Sequence, residues 1–280
     1  MKSIISILSS LALTCSFFAL TGCEKAKQPE KTQTQADLVI YSGITMVKPL
    51  KLLAHEFERL HQINIHIEQG ASGYLYRTIR TLNTGDIYFP GTETYRIEHA
   101  EDNILLDRVL VGFNRLSFVV AEGNPKNLNS DIRQLLNPNI SVVLASPDSS
   151  AVGKATKTAL EDANICMDVF ENVTYFTTDS HRLFSSIDNH EADITMNWYA
   201  STVWEEHANK VDAITLPDHL QQKRRLELNL LKFSENPELA KKFMAYASSQ
   251  HGLKTFADYG FLLPDELEAL KKNDNVNEPL

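Results

Sequence analysis

The sequence predicts an α/β chain folded as two lobes, each a mostly parallel sheet flanked by helices, on three observations. Its 280 residues exceed the size at which a single hydrophobic core usually stops growing, and a hydrophobic share of 43% is enough to fill two. Short apolar or alternating runs, which suit strands, are repeatedly followed by segments with apolar residues three and four apart, which suit helices. A strand, a tight turn and a helix start also recur once in each half, at Gln69-Gly70-Ala71-Ser72-Gly73-Tyr74 and at Ala145-Ser146-Pro147-Asp148-Ser149-Ser150-Ala151-Val152-Gly153-Lys154.

In chain order, a strand over Leu38 to Tyr41 meets a Ser42-Gly43 turn and a helix whose apolar residues are Val47, Leu50, Leu53, Ala54 and Phe57, with Pro49 in its first turn. The alternating run Ile63 to Ile67 gives the next strand, and Leu75, Ile79 and Leu82 mark the helix after its glycine turn. Ile87 to Phe89 is a third strand, ended by Pro90-Gly91. Strand, helix, strand, helix, strand is the order of a parallel sheet with right-handed crossovers, and ligand sites in such sheets lie beyond the C-terminal strand ends. Thr45, Ser72 and the Pro90 turn fall at that edge.

An amphipathic helix is expected over Glu93 to Glu101, and the apolar run Arg115 to Val120 reads as a crossover between lobes. The pattern then restarts: Ser130 caps a short helix to Leu136, Ser141 to Ala145 is a strand, and Lys154 to Ala163 a helix. Strands follow over Val173 to Phe176, Asp193 to Trp198 and Val211 to Leu216, with Thr177-Thr178-Asp179-Ser180 capping a helix that reaches Asn189. The alternation Leu226 to Leu230 returns to the first lobe, and Pro237 starts a helix carrying Leu239, Phe243, Met244 and Tyr246. The lobes are therefore expected over residues 37–117 with 219–270, and over 118–218, with a flexible tail at 271–280.

Before the folded part, Lys2 and the apolar run Ile4 to Leu20 read as an export signal over residues 1–22. Leu20-Thr21-Gly22-Cys23 looks like the bacterial lipobox, so Cys23 is expected to carry a lipid and start the mature chain, with residues 23–36 as a polar tether. Glu24, rather than Asp, beside that cysteine favours the outer membrane. With Cys15 removed and Cys23 lipidated, Cys166 has no partner for an intramolecular disulfide.

A formal charge of -9 argues against a nucleic-acid partner, which needs a basic face. It does not exclude a small anion, because local N–H and hydroxyl groups decide that question. Both recurring turns suit one: glycine lets the backbone approach closely, helix starts leave N–H groups unpaired, and Ser72 adds a neutral donor. Other chemistry is poorly supported. Gly70-Ala71-Ser72-Gly73-Tyr74 lacks the second glycine of a hydrolase nucleophile elbow. His55 and His61 are six apart where a zinc-protease helix needs four, and a zinc carrier would require His55, His61, His66 and His99 to converge. Lys223-Arg224-Arg225 reads as a solvated edge. Asp148 and Asp179 stand at helix starts as caps; in the pocket instead, either would accept from a protonated anion and repel a fully ionised one.

Between Asp37 and Pro264 the chain resembles the periplasmic molybdate-binding proteins, solute receptors of ATP-driven (ABC) importers with the type II periplasmic binding protein fold. The resemblance is carried by Leu53-Ala54-His55-Glu56-Phe57-Glu58, Gly70-Ala71-Ser72-Gly73-Tyr74-Leu75, Ser150-Ala151-Val152-Gly153-Lys154, Glu191-Ala192-Asp193-Ile194 and Tyr259-Gly260-Phe261, in that order and spacing. It implies a non-enzymatic, monomeric receptor without a cofactor, which closes on a molybdate- or tungstate-like oxyanion and hands it to an importer permease. By position it implies hydroxyl donors at Thr45 and Ser72 and N–H donors at Val152 and Ser180, with Ser42 and Ser150 as near substitutes. Trp198 stands where the family has a tyrosine, and Asn197 or Tyr199 also lie within reach of that place. A lipoprotein of the same fold that presents an anion or small organic acid to a membrane signalling partner is the alternative.

Overall fold

The computed structural model describes residues 36–207 and 209–272. The expected export signal, the expected lipidation site Cys23, nearly all of the expected tether and the end of the tail lie outside the described residues.

The chain runs β1 (Leu38–Gly43), α1 (Val47–His61), β2 (Ile65–Gly70), α2 (Ser72–Leu82), β3 (Ile87–Phe89), α3 (Thr94–Glu98), β4 (Leu105–Asn114) and β5 (Leu116–Ala121). It continues with β6 (Val142–Ala145), α4 (Ala151–Asp162), α5 (Cys166–Asn172), β7 (Val173–Thr177), α6 (Ser180–Asp188), β8 (Ile194–Trp198) and β9 (Val211–Thr215). The last elements are β10 (Arg224–Leu231), α7 (Pro237–Ala247), α8 (Gln250–Asp258) and α9 (Pro264–Lys272).

Local sequence explains the helices that carry the fold. In α1, Val47, Leu50, Leu53, Ala54 and Phe57 make one buried stripe, and Gln62 in the left-handed conformation ends the helix. Phe57 packs edge-on against Phe243 of α7, centroids 5.3 Å apart, so truncating it to Ala would cost about 3–5 kcal/mol. The short 3-10 helix Ile132–Leu136 is capped not by Ser130 but by Asp131, whose carboxylate accepts from the Arg133 N–H.

Two five-stranded sheets result, in the orders β2-β1-β3-β10-β4 and β7-β6-β8-β5-β9. In the first, β1 runs parallel to β2 and β3, whereas β10 is antiparallel to β3 and β4. In the second, β6 is parallel to β7 and β8, and β5 is antiparallel to β8 and β9. The sheets are thus mixed rather than mostly parallel. Each fourth strand arrives from the other sheet without a crossover helix of its own, and so enters antiparallel.

Two segments differ from expectation for related reasons. The run after Arg115 is not a connector: β5 pairs with both β8 and β9 inside the second sheet, and only the short passage at Arg115 separates it from β4. The strand β4 itself escapes the pattern reading because Asp107 and Arg108 interrupt its apolar residues while its first half lies open on alternate positions.

The chain passes between sheets twice, at Arg115 and again between β9 and β10. Glu266 of α9 holds both passages, bonding the Arg115 guanidinium and, at 2.5 Å, the Lys223 ammonium. Burial alone would raise the Glu266 carboxyl, but Lys223, the Leu263 N–H and Arg115 together outweigh it and hold the group below the usual carboxylate range. Among the described residues no helix is long and apolar enough to cross a membrane.

Candidate functional site

Because β1, β2 and β3 run parallel, the turns that leave them gather at one edge of the first sheet, and the turns leaving β6, β7 and β8 gather likewise on the second. The two edges meet around a cavity of about 20 Å³, and a cavity needs at least roughly 10–15 Å³ to hold one water. Thr45, Ser72 and Gly91 line it from one side; Ser150, Val152, Ser180 and Trp198 line it from the other.

The hydroxyls are bonded to protein in ways that leave them useful. Ser72 Oγ accepts from the Gly91 N–H at 3.1 Å, so its own proton remains free to be donated and is polarised by that contact. Thr45 Oγ1 and Ser180 Oγ meet directly across the cavity at 2.6 Å, either of them able to donate. Tyr88, fully buried, donates from its phenol to the Ser72 carbonyl at 2.8 Å and so fixes the start of α2; burial pushes that phenol well above its ordinary pKa.

The second side supplies backbone. Ser150 caps α4 by accepting from the Gly153 N–H at 2.9 Å, and Asp179 caps α6 by accepting from the His181 and Arg182 N–H groups, both at 3.0 Å. Among the described residues, the N–H groups of Val152 and Ser180, one step earlier in each helix, have no hydrogen-bond partner. These helix starts therefore present fixed donors with partial positive charge.

The carboxylate question is answered by the same bonds. Asp179 lines the cavity, but one oxygen caps α6 and the other accepts from the Thr178 hydroxyl at 2.8 Å. Asp148 is exposed and touches the other lobe through its backbone carbonyl, which accepts from Arg77 at 3.2 Å.

Of the remaining residues singled out in sequence, Trp198 is buried and lines the cavity, whereas Ser42, Asn197 and Tyr199 do not. Ser42 donates to the Gly43 carbonyl within β1. Asn197 is a positioning residue: its amide donates to the Ser180 carbonyl at 2.9 Å and accepts from the Trp198 N–H at 2.8 Å, tying the end of β8 to the start of α6. Tyr199 is held by its backbone, which donates to the Arg115 carbonyl at 2.8 Å. Gly91 and Ala151 also line the cavity, and their signals in the sequence are the Pro90-Gly91 turn and the Ser150-Ala151-Val152 run rather than any donor side chain of their own.

No histidine or carboxylate hydrogen-bonds the Ser72 hydroxyl among the described residues. His55, His66 and His99 each stand beside a different carboxylate, Glu58, Glu68 and Asp102, and no group of three or more metal-ligating side chains is found among the described residues. A larger open groove of about 670 Å³ runs along α6 and β7, sharing Ile44 and Asp179 with the cavity.

The model of the bacterial extracellular solute-binding proteins matches residues 38–262. The chain belongs to that family. This solute-binding protein is 22% identical over 236 residues to the molybdate-binding protein ModA of Mycobacterium tuberculosis, covering 83% of the present chain and 87% of the relative. Its fold is that of the Azotobacter vinelandii periplasmic molybdate-binding protein (TM-score 0.70, 15% identity, 81% and 99% of the two chains). It is also that of the sulfate-binding protein SubI of Mycobacterium tuberculosis (TM-score 0.71, 18% identity, 86% and 92%). The expected two-lobed binding-protein fold and the resemblance to molybdate-binding proteins both hold for this solute-binding protein.

Proposed function

We propose that this solute-binding protein captures one small, fully ionised tetrahedral oxyanion of the molybdate, tungstate or sulfate kind and delivers it to an ABC importer. The supporting observation is the convergence of neutral donors from both sheets, Thr45 and Ser72 on one side and the Val152 and Ser180 N–H groups on the other, with the neighbouring Asp179 carboxylate already consumed as a cap. Neutral, preorganised donors stabilise an anion without a salt bridge, and because both oxygens of Asp179, the carboxylate that lines the cavity, are already engaged, no carboxylate stands ready to favour a protonated anion. Entry of the anion parts Thr45 from Ser180, so that each hydroxyl then donates to it. Trp198 contributes its indole N–H.

In this reading the lobes are residues 37–115 with 219–270 and residues 116–218, the expected boundary at 117 moving back because Leu116 and Ser117 pair with β8 in the second sheet. No bond is made or broken, and the protein acts as a monomer in the periplasm, tethered through a lipid on Cys23 to the outer membrane. The relatives named above, with their molybdate and sulfate ligands, support the class of anion. A thermal-denaturation panel of molybdate, tungstate, sulfate and phosphate tests it: at 100 times the dissociation constant the true ligand should add about 2.7 kcal/mol of stability. Absence of a shift with every oxyanion would sink the proposal.

The open groove beside the cavity favours a second reading, in which the same fold presents a small organic acid to a membrane signalling partner. Stabilisation by carboxylates and not by inorganic oxyanions would select it.

A further inference from the structure

Two glycines at the cleft are not explained by their own backbone. Among the described residues the positive-φ glycines are Gly85, Gly123 and Gly260, so neither Gly73 nor Gly91 needs glycine for its conformation. Gly73 even sits in the first turn of α2, where glycine weakens a helix relative to alanine. At each of them the nearest obstructing atom belongs to the opposite lobe. A Cβ at Gly73 would lie 2.8 Å from the Ser149 carbonyl oxygen and 3.1 Å from that of Asp148. One at Gly91 would lie 2.9 Å from the Ala151 Cβ, 3.4 Å from the Asn114 amide nitrogen of its own lobe and 3.6 Å from the Trp198 indole nitrogen. The obstructing atoms at Gly73 are backbone and cannot rotate aside. Moreover, the Gly73 N–H donates to the Ser149 carbonyl at 2.8 Å, a backbone hydrogen bond that joins the turn after β2 to the turn after β6.

We infer that Gly73 and Gly91 form a side-chain-free seam that sets how far the lobes close, and that this seam selects a compact inorganic anion over one carrying an organic substituent. The inference rests on the oxyanion reading of the same cavity. With the seam shut, the turns enclose the ligand on the Gly73 and Gly91 flank, and an organic group there would hold the lobes apart as surely as an added methyl. Gly153 is the contrast. Its added Cβ would meet the Ser146 and Ala145 carbonyls of its own lobe at 2.4 Å and 2.5 Å, so alanine there damages the fold itself.

The test uses Gly73→Ala, Gly91→Ala and the double variant, with calorimetric titration of molybdate, sulfate and phenyl phosphate and small-angle scattering with and without each anion. Gly73→Ala should melt at or above the wild-type temperature without added anion, yet bind the best inorganic anion about ten-fold more weakly, as expected when one charge-assisted hydrogen bond is weakened. Its radius of gyration should exceed that of the wild type, and wild type should prefer the inorganic anions to phenyl phosphate. Unchanged affinity in a stable Gly73→Ala protein overturns the inference, as does tighter wild-type binding of phenyl phosphate. If wild type binds none of the three, the oxyanion reading has failed instead. The seam is then judged by scattering: a larger radius in the variants supports it, and an unchanged radius overturns it.

Discussion

The two sides of the cleft share a sheet plan but offer different chemistry. The first side brings hydroxyls, Thr45 and Ser72, whose protons turn toward whatever is present; the second brings backbone N–H groups at Val152 and Ser180, which can only donate and are fixed by their helices. Hydroxyls can satisfy one another, as Thr45 and Ser180 do at 2.6 Å, whereas the amides demand an acceptor from outside. The difference suggests a division of labour: the second side fixes the sign of the ligand's charge, and the first adapts to its shape.

Ser180 is the sharpest place to break that comparison, because it carries both kinds of donor at the first position of α6. Proline is well tolerated there and Asp179 before it is already extended, so Ser180→Pro removes hydroxyl and N–H together without breaking the helix. Ser180→Ala removes the hydroxyl alone. Titration calorimetry should show the proline variant losing about 3 kcal/mol or more of binding and the alanine variant about half as much, since each donor to a charged ligand contributes about 1.5–3 kcal/mol. Equal losses would mean that the amide does not hold the anion.

Ser72→Ala should come next, at about 1.5–3 kcal/mol or roughly 10- to 150-fold in affinity. It also leaves the buried Gly91 N–H without its acceptor, so melting temperature should fall as well. The smallest effect is expected outside the cavity. Lys154 and Glu98 pair at 2.7 Å between the lobes with both side chains partly exposed, so Lys154→Ala should change affinity by about 0–1 kcal/mol, and less at high salt. A large loss there would shift the weight of closure from the donors to surface charge.

Much of this was legible in the sequence because the signals are local. A glycine turn between a strand and an apolar stripe, as at Gly70 to Ile79, states its own geometry, and helix starts such as Ser180 carry their donors with them. Strand order is a different matter. Whether β5 and β10 enter parallel or antiparallel depends on how the chain returns from the other sheet, which no window of residues contains, and so the pattern predicts mostly parallel sheets where the structure has mixed ones. Asn197 shows the same limit at the scale of one side chain. Its position beside Trp198 was readable, but its commitment to the Ser180 carbonyl depends on α6 lying against β8. Gly73 stood in the motif from the start; its contact with Ser149 belongs to the meeting of two lobes.

Glu266 adds a mechanical consequence. One carboxylate grips both passages of chain between the sheets, through Arg115 and Lys223, so the two cannot twist independently while it holds. The stiffness of the hinge is thus set in part by a C-terminal helix that never touches the cavity, and force applied to that helix is felt at both passages at once.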